Sequence, residues 1–219
     1  MFGISQIIGV SIEIIGTIAF AFSGAMAAIE RKLDLFGVMV LGIITAVGGG
    51  MIRDLMLGIH PPMLFQNTVY VKVALTVSLL TFVMIYFNQE LLTSRYMKAY
   101  TFVMNLFDAI GLGAFTVSGI NTAILAGFED QALLLITVGM ITGAGGGMLR
   151  DVLSGETPFI FRKHIYASAS FAGAVLFVGL QGYIGKSIAM ILGAAAVVLI
   201  RYCAARYHWN LPKAMKEKI

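Results

Sequence analysis

Six ionisable side chains, Glu13, Arg53, Asp54, Asp108, Arg150 and Asp151, are embedded in long apolar runs. Arg53-Asp54 follows Gly48-Gly49-Gly50-Met51-Ile52, and Arg150-Asp151 follows Gly145-Gly146-Gly147-Met148-Leu149. An unpaired charge at the centre of a membrane helix costs about 2.5–3.5 kcal/mol, and such residues mark ion or substrate pathways. Glycine permits a helix to unwind, so each triplet is expected to break its helix. Carbonyls of the preceding turn (Ile44 to Val47, Ile141 to Ala144) would then face a cation at the negative end of a half-helix. The amides opening the second half-helix would instead hold an anion or a carboxylate. The motif alone leaves the substrate open. Thr45 and Thr142 stand within one turn and would satisfy some of the freed groups.

Neighbours on a helix diverge, so Arg53 and Asp54 are not expected to neutralise each other. Depth along the helices instead pairs Glu13 with Arg53 and Asp108 with Arg150. Four acids against two arginines favour a cation; the competing reading is that these charges only staple helices together. Ser23 and Ser118, each followed by glycine, either line the pathway or satisfy the preceding turn. Lys72 reads as a snorkelling interface residue. His60, His164 and His208 lack ligand spacing, so no metal enzyme site is expected, only transient potassium or sodium in a pathway. No nucleophile elbow, phosphate loop or zinc motif is present, which points away from catalysis and from a cofactor.

The elements that must position these residues follow from composition. Of 219 residues, 59% are hydrophobic and 12% charged, with a mean hydropathy of +0.91, against about 25% charged in soluble domains. The apolar content falls into blocks, enough for roughly seven crossings at about 20 residues each. They are read as Ile7–Ile29, Phe36–Leu57, Val69–Phe87, Ala99–Ala123, Ala132–Leu153, His164–Leu180 and Lys186–Arg206. No Lys or Arg precedes Arg31, so the first is read as a retained membrane helix rather than a signal peptide. Arg31 and Lys32, Arg95 and Lys98, Arg162 and Lys163, and Arg206 with Lys213, Lys216 and Lys218 follow the odd-numbered crossings. The positive-inside rule then sets the N-terminus outside and the C-terminus in the cytoplasm of a multi-pass protein. Basic residues at helix flanks give no argument for nucleic acid; membrane lipid is the expected surrounding. The single cysteine, Cys203, excludes an intramolecular disulfide.

The chain also repeats itself. Glu13, Gly16, Ala19-Phe20 and Ser23-Gly24 match Asp108, Gly111, Ala114-Phe115 and Ser118-Gly119. Gly42, Thr45, Gly58 and Pro61 match Gly139, Thr142, Gly155 and Pro158. Three helices per unit is an odd number, so the second copy enters the membrane inverted. The expected fold is an all-α membrane protein with two inverted three-helix repeats plus a seventh helix. The first repeat is assigned to residues 1–92, the second to 93–184, and the seventh helix with its tail to 185–219, in one integral membrane domain. The seventh helix would serve packing or assembly. Gly42 and Gly139 read as packing residues; the triplets read as functional, because packing needs small residues one turn apart.

Two copies of Gly-Gly-Gly-Met-hydrophobe-Arg-Asp, each followed by a Gly and a Pro, resemble the bacterial membrane family named for a glycine-transporter domain. Its members are similar in fold to the trimeric intracellular cation channels. The likeness runs from about Ile7 to Arg206. It implies a homotrimer in the cell inner membrane with one pore in each protomer. It also implies that helices one, two, four and five line that pore, with kinks at Gly48 to Gly50 and Gly145 to Gly147. The implied permeant ion is potassium, with sodium passing too. A carrier for glycine or another small amino acid is the alternative, because a zwitterion could use both carbonyls and amides at a break.

Overall fold

The computed structural model describes residues 4–92, 97–162, 165–207 and 209. Its long helices are α1 (Ile4–Glu30), α2 (Leu35–Met56), α4 (Val69–Phe87), α5 (Met97–Leu125), α6 (Ala132–Leu153), α8 (Ala167–Ile184) and α9 (Lys186–Tyr207). Two single turns, α3 (Met63–Gln66) and α7 (Phe159–Arg162), follow α2 and α6, and a 3₁₀ turn spans Gln89–Leu92. All seven long helices are apolar enough to cross a membrane, and no strand occurs among the described residues. The seven-crossing, all-α expectation holds. The sixth crossing starts at Ala167 rather than His164 and runs on to Ile184, ending where Gly185 takes a φ of +84°. The flank side chains of Arg95, Lys98, Arg162, Lys163, His164, His208, Lys213, Lys216 and Lys218 lie outside the described residues.

The glycine triplets behave differently from expectation. α2 and α6 are continuous α-helices through Gly48 to Gly50 and Gly145 to Gly147. Neither unwinds, and the carbonyls of Ile44 to Val47 and Ile141 to Ala144 are not released as ligands. The physical reason is comparative cost. Each helical glycine loses about 1 kcal/mol relative to alanine. Each backbone group left unsatisfied in hydrocarbon loses several. The helix therefore continues, and the absent side chains serve close approach. A β-carbon on Gly49 would overlap the Thr142 carbonyl, and one on Gly146 would overlap the Thr45 carbonyl. A β-carbon on Gly48 would lie 2.5 Å from Leu149, and one on Gly145 would lie 3.2 Å from Ile52. As numbering rises along one helix it falls along the other, so α2 and α6 cross antiparallel. That is the inversion expected of an odd-helix repeat.

The third glycine of each triplet points elsewhere. A β-carbon on Gly50 would have the Arg53 guanidinium as its nearest neighbour, at 3.6 Å. One on Gly147 would lie 2.7 Å from the Tyr166 hydroxyl and 3.7 Å from Arg150 and Asp108. Two glycines per triplet seat the crossing, and the third leaves room beside the charges.

The same symmetry organises α1 and α5. Phe20 and Phe115, repeat mates, stack with ring centroids 5.4 Å apart and planes inclined by 28°. Gly111 and Gly16 provide the flat surfaces these rings rest on. Repeat mates that touch each other must lie at the pseudo-twofold axis, so this stack marks the middle of the protomer. Thr45 and Thr142 donate to Leu41 O and Val138 O at 2.6 Å each, satisfying their own helices, and Gly24 and Gly119 pack onto their side chains. Gly42 fits against Ser78 and Gly139 against Ile120, as packing residues do. α9 packs on α8 and α5, where Gly173 meets the Gly193 carbonyl and Gly113 the Ala194 carbonyl. Lys72 is exposed.

Candidate functional site

The charged residues form two clusters on opposite sides of the α2–α6 crossing. Each is built on a helix end. After α2 and α6, Gly58 and Gly155 adopt left-handed φ values of +69° and +73°. Ile59 N donates to Asp54 O at 2.9 Å, and Glu156 N to Asp151 O at 2.8 Å, closing the helix termini in matching turns. The chain then folds back into α3 and α7. There Met63 N donates to Asp54 Oδ2 and Phe159 N to Asp151 Oδ2, both at 2.7 Å. Each aspartate thus ties a returning turn to the helix it follows.

The other oxygen of each aspartate takes the neighbouring arginine. Arg53 Nε donates to Asp54 Oδ1 at 2.9 Å, and Arg150 Nε to Asp151 Oδ1 at 2.8 Å. The expectation that adjacent Arg and Asp diverge is corrected here. At the end of α2 and of α6 the arginine side chain doubles back along its own helix, because burial leaves it no solvent to reach. The guanidinium then lies against the returning turn: Arg53 Nη2 is 3.5 Å from Met63 Sδ, and Arg150 sits 4.8 Å above the Phe159 ring.

At the Asp108 end the arginine reaches further. Arg150 Nη1 donates to Asp108 Oδ1 at 2.8 Å and also to Ser23 Oγ. The Tyr166 hydroxyl lies 3.5 Å from the same carboxylate oxygen. From α9, Arg201 places Nη2 3.7 Å from Asp108 Oδ2, stacks 4.9 Å over the Tyr166 ring and donates to Ile165 O at 3.1 Å. Asp108 and Arg150 are 0% exposed, and Tyr166, Asp151 and Arg201 are 1%, 3% and 5% exposed. This end is sealed.

The Glu13 end is open. Glu13 does not pair with Arg53 as expected; among the described residues that guanidinium pairs with Asp54 alone. Glu13 Oε1 accepts from Ser118 Oγ at 2.6 Å, and Oε2 accepts from the Tyr70 hydroxyl. Among the described residues Glu13 has no ion-pair partner. It lines a cleft of about 40 Å³ with Thr17, Gly50, Arg53, Asp54 and Tyr70, and Phe115 stands in its wall.

Of the residues singled out from sequence, the fold gathers Glu13, Ser118, Arg53 and Asp54 at one end and Asp108, Ser23, Arg150 and Asp151 at the other. Gly50 and Gly147 adjoin these clusters. Gly48, Gly49, Gly145, Gly146, Thr45 and Thr142 belong to the crossing between them. Sequence reading passed over Tyr70, Tyr166 and Arg201. The tyrosines are near-equivalent residues opening α4 and α8, a repeat signal that was present. Arg201 has no repeat mate, but an arginine inside an apolar helix is itself a signal.

The family model described as glycine transporter matches the chain twice, over residues 10–86 and 105–182. The chain belongs to this family. Each match spans one three-helix unit, so the family unit is the repeat, and α9 lies outside both copies. The chain is 38% identical over 205 residues to the inner membrane protein YadS of Escherichia coli K12, covering 92% of this chain and 93% of that one. Two solved structures are similar to it in fold. One, from work on conductance through TRIC cation channels, is 34% identical, with a TM-score of 0.80 over 95% of this chain and 98% of the other. The second is the TRIC trimeric intracellular cation channel orthologue from Rhodobacter sphaeroides. It is 33% identical, with a TM-score of 0.81 over 93% of this chain and 100% of the other. The fold is that of the TRIC channels, and the protein is a multi-pass membrane protein.

Proposed function

We propose that this chain is a potassium-permeable cation channel, a homotrimer with one conduction path in each protomer. The path would run between the two charged clusters past the α2–α6 crossing. The observation that carries this reading is the Glu13 carboxylate, half-buried beside a cleft and with no ion-pair partner among the described residues. An anionic group of that kind, with hydroxyls from Ser118 and Tyr70 beside it, raises the local concentration of cations. Likeness to cation channels over more than nine-tenths of the chain supports the same reading. The ligands for a passing cation would then be side chains rather than the backbone carbonyls of a broken helix. With α2 and α6 unbroken, the amides at the glycine triplets are not free to hold a zwitterion's carboxylate, which weakens the carrier alternative.

In this reading the conformation described is non-conducting, closed at the Asp108 cluster and at the Phe20–Phe115 stack. The proposed orientation has the Glu13 end outside and the Asp108 end facing the cytoplasm. The ion pair between Arg31 and Glu156 is consistent with it, because it puts the ends of α1 and α6 on one face with the basic flanks. Purified protein in planar bilayers should give discrete unitary currents carried by potassium. Electrically silent, saturable glycine uptake by proteoliposomes would overturn the proposal. Light scattering of the detergent complex should give a protein mass of three chains.

A further inference from the structure

The two repeats would give an electrically symmetric path, and one residue outside them prevents it. At the Glu13 end, Glu13 and Asp54 face one arginine, Arg53, leaving one negative charge in excess. At the Asp108 end, Asp108 and Asp151 face two, Arg150 and Arg201, leaving none. Arg201 comes from α9, the helix that neither repeat contains. Its guanidinium is held by the Tyr166 ring and the Ile165 carbonyl, and it points at Asp108 Oδ2, the carboxylate oxygen that accepts no hydrogen bond among the described residues. The contact, at 3.7 Å, is charge facing charge without a hydrogen bond between them. On the other side of the pseudo-twofold axis Glu13 carries no such neutralising group among the described residues.

We infer that Arg201 is an internal counter-ion that makes the channel rectify, with cations entering more readily from the Glu13 end than from the Asp108 end. The inference rests on the channel reading above. A cleft with an uncompensated charge concentrates counter-ions at its mouth, whereas a neutral one does not. The seventh helix thereby acquires an electrical role beyond packing.

In symmetric potassium chloride the wild-type open channel should pass unequal currents at opposite voltages. In Arg201→Gln the ratio of those currents should fall to about 1, through a larger current entering from the Asp108 end. Arg201→Lys, which keeps the charge, should retain the asymmetry. In Glu13→Gln the ratio should also fall to about 1, but through a smaller current from the Glu13 end. Wild-type protein supplies a test that needs no variant. The asymmetry should be large near 0.1 M salt and fade towards 1 M, as the screening length falls from about 10 Å to about 3 Å. Conducting wild-type channels whose asymmetry is absent or independent of salt would overturn the inference and leave the channel reading standing. An Arg201→Gln ratio equal to wild type would do the same, as would equal effects of Arg201→Gln and Arg201→Lys. Absence of any unitary current from wild-type trimers would remove the channel reading and this inference together.

Discussion

Arg150 and Asp108 meet at 2.8 Å with neither side chain reaching solvent, while their repeat mates Arg53 and Glu13 make no ion pair with each other. An acid and an arginine on repeat-equivalent helices have thus taken two arrangements within one chain. At the Asp108 end the arginine bridges three elements, joining α6 to α5 through Asp108 and to α1 through Ser23. At the Glu13 end the corresponding bridge is open, and the carboxylate holds hydroxyls instead.

The two carboxylates should therefore respond differently to neutralisation. Breaking a buried ion pair from one side leaves an uncompensated charge and costs about 3–5 kcal/mol. Asp108→Asn should destabilise the protein towards the lower end of that range, since Asp151 still holds Arg150. Glu13→Gln breaks no ion pair among the described residues and keeps an oxygen that can accept a hydrogen bond, so its cost should stay within about 1 kcal/mol. Denaturant unfolding of the two variants in the same detergent checks this, and equal stabilities would contradict it.

The triplets make a second contrast available. Gly49→Ala and Gly146→Ala would each drive a methyl into a backbone carbonyl of the opposite helix, which cannot yield as a side chain does. Overpacking of this kind costs about 1–3 kcal/mol, and separation of α2 from α6 should accompany it. Gly50→Ala meets no atom nearer than 3.6 Å and should fold normally. Melting temperatures of the three variants, measured side by side, test the division of labour. A Gly50→Ala variant as damaged as Gly49→Ala would mean that the triplet acts through backbone flexibility after all.

How far the sequence could be read depends on which interactions decide each feature. The seven crossings and the inverted duplication were legible because apolar block length and repeated residues are properties of the chain itself. The pairing of Asp108 with Arg150 was legible from depth alone. The fate of the triplets was not, since glycine permits both unwinding and close approach, and only the presence of α6 against α2 decides between them. Asp54 misled for a similar reason. Its partner is chosen by the return of the chain into α3, a single turn too short to show as a periodic pattern. Arg201 lay outside any comparison between halves, because α9 has no counterpart.

Glu13 should govern conduction more than stability. In the channel reading, Glu13→Gln should lower the unitary potassium current, while Glu13→Asp should largely preserve it. Tyr70→Phe removes a hydroxyl but no charge, and should reduce the current less than Glu13→Gln. Unitary conductance in planar bilayers at about 0.1 M salt is the suitable measurement, because the screening length there is still about 10 Å. A Glu13→Gln channel with unaltered conductance would remove the carboxylate from the path.

The Phe20–Phe115 stack should act as the apolar barrier between the clusters. Phe20 is 1% exposed and rests on Gly111 and Gly146, so truncating it would leave a cavity and cost about 3–5 kcal/mol. Phe115 is 8% exposed and lines the Glu13 cleft, so its truncation widens a space that already exists. Phe115→Ala should consequently fold at a smaller cost than Phe20→Ala and let water extend from the cleft towards the axis. A barrier of hydrocarbon excludes ions because it offers no replacement for their hydration, and shortening it weakens that exclusion. Potassium flux into proteoliposomes should rise in Phe115→Ala relative to wild type, whereas Phe115→Leu, which keeps an apolar plug, should stay near the wild-type level. Unchanged flux in Phe115→Ala, from protein that remains assembled, would place the barrier elsewhere along the path.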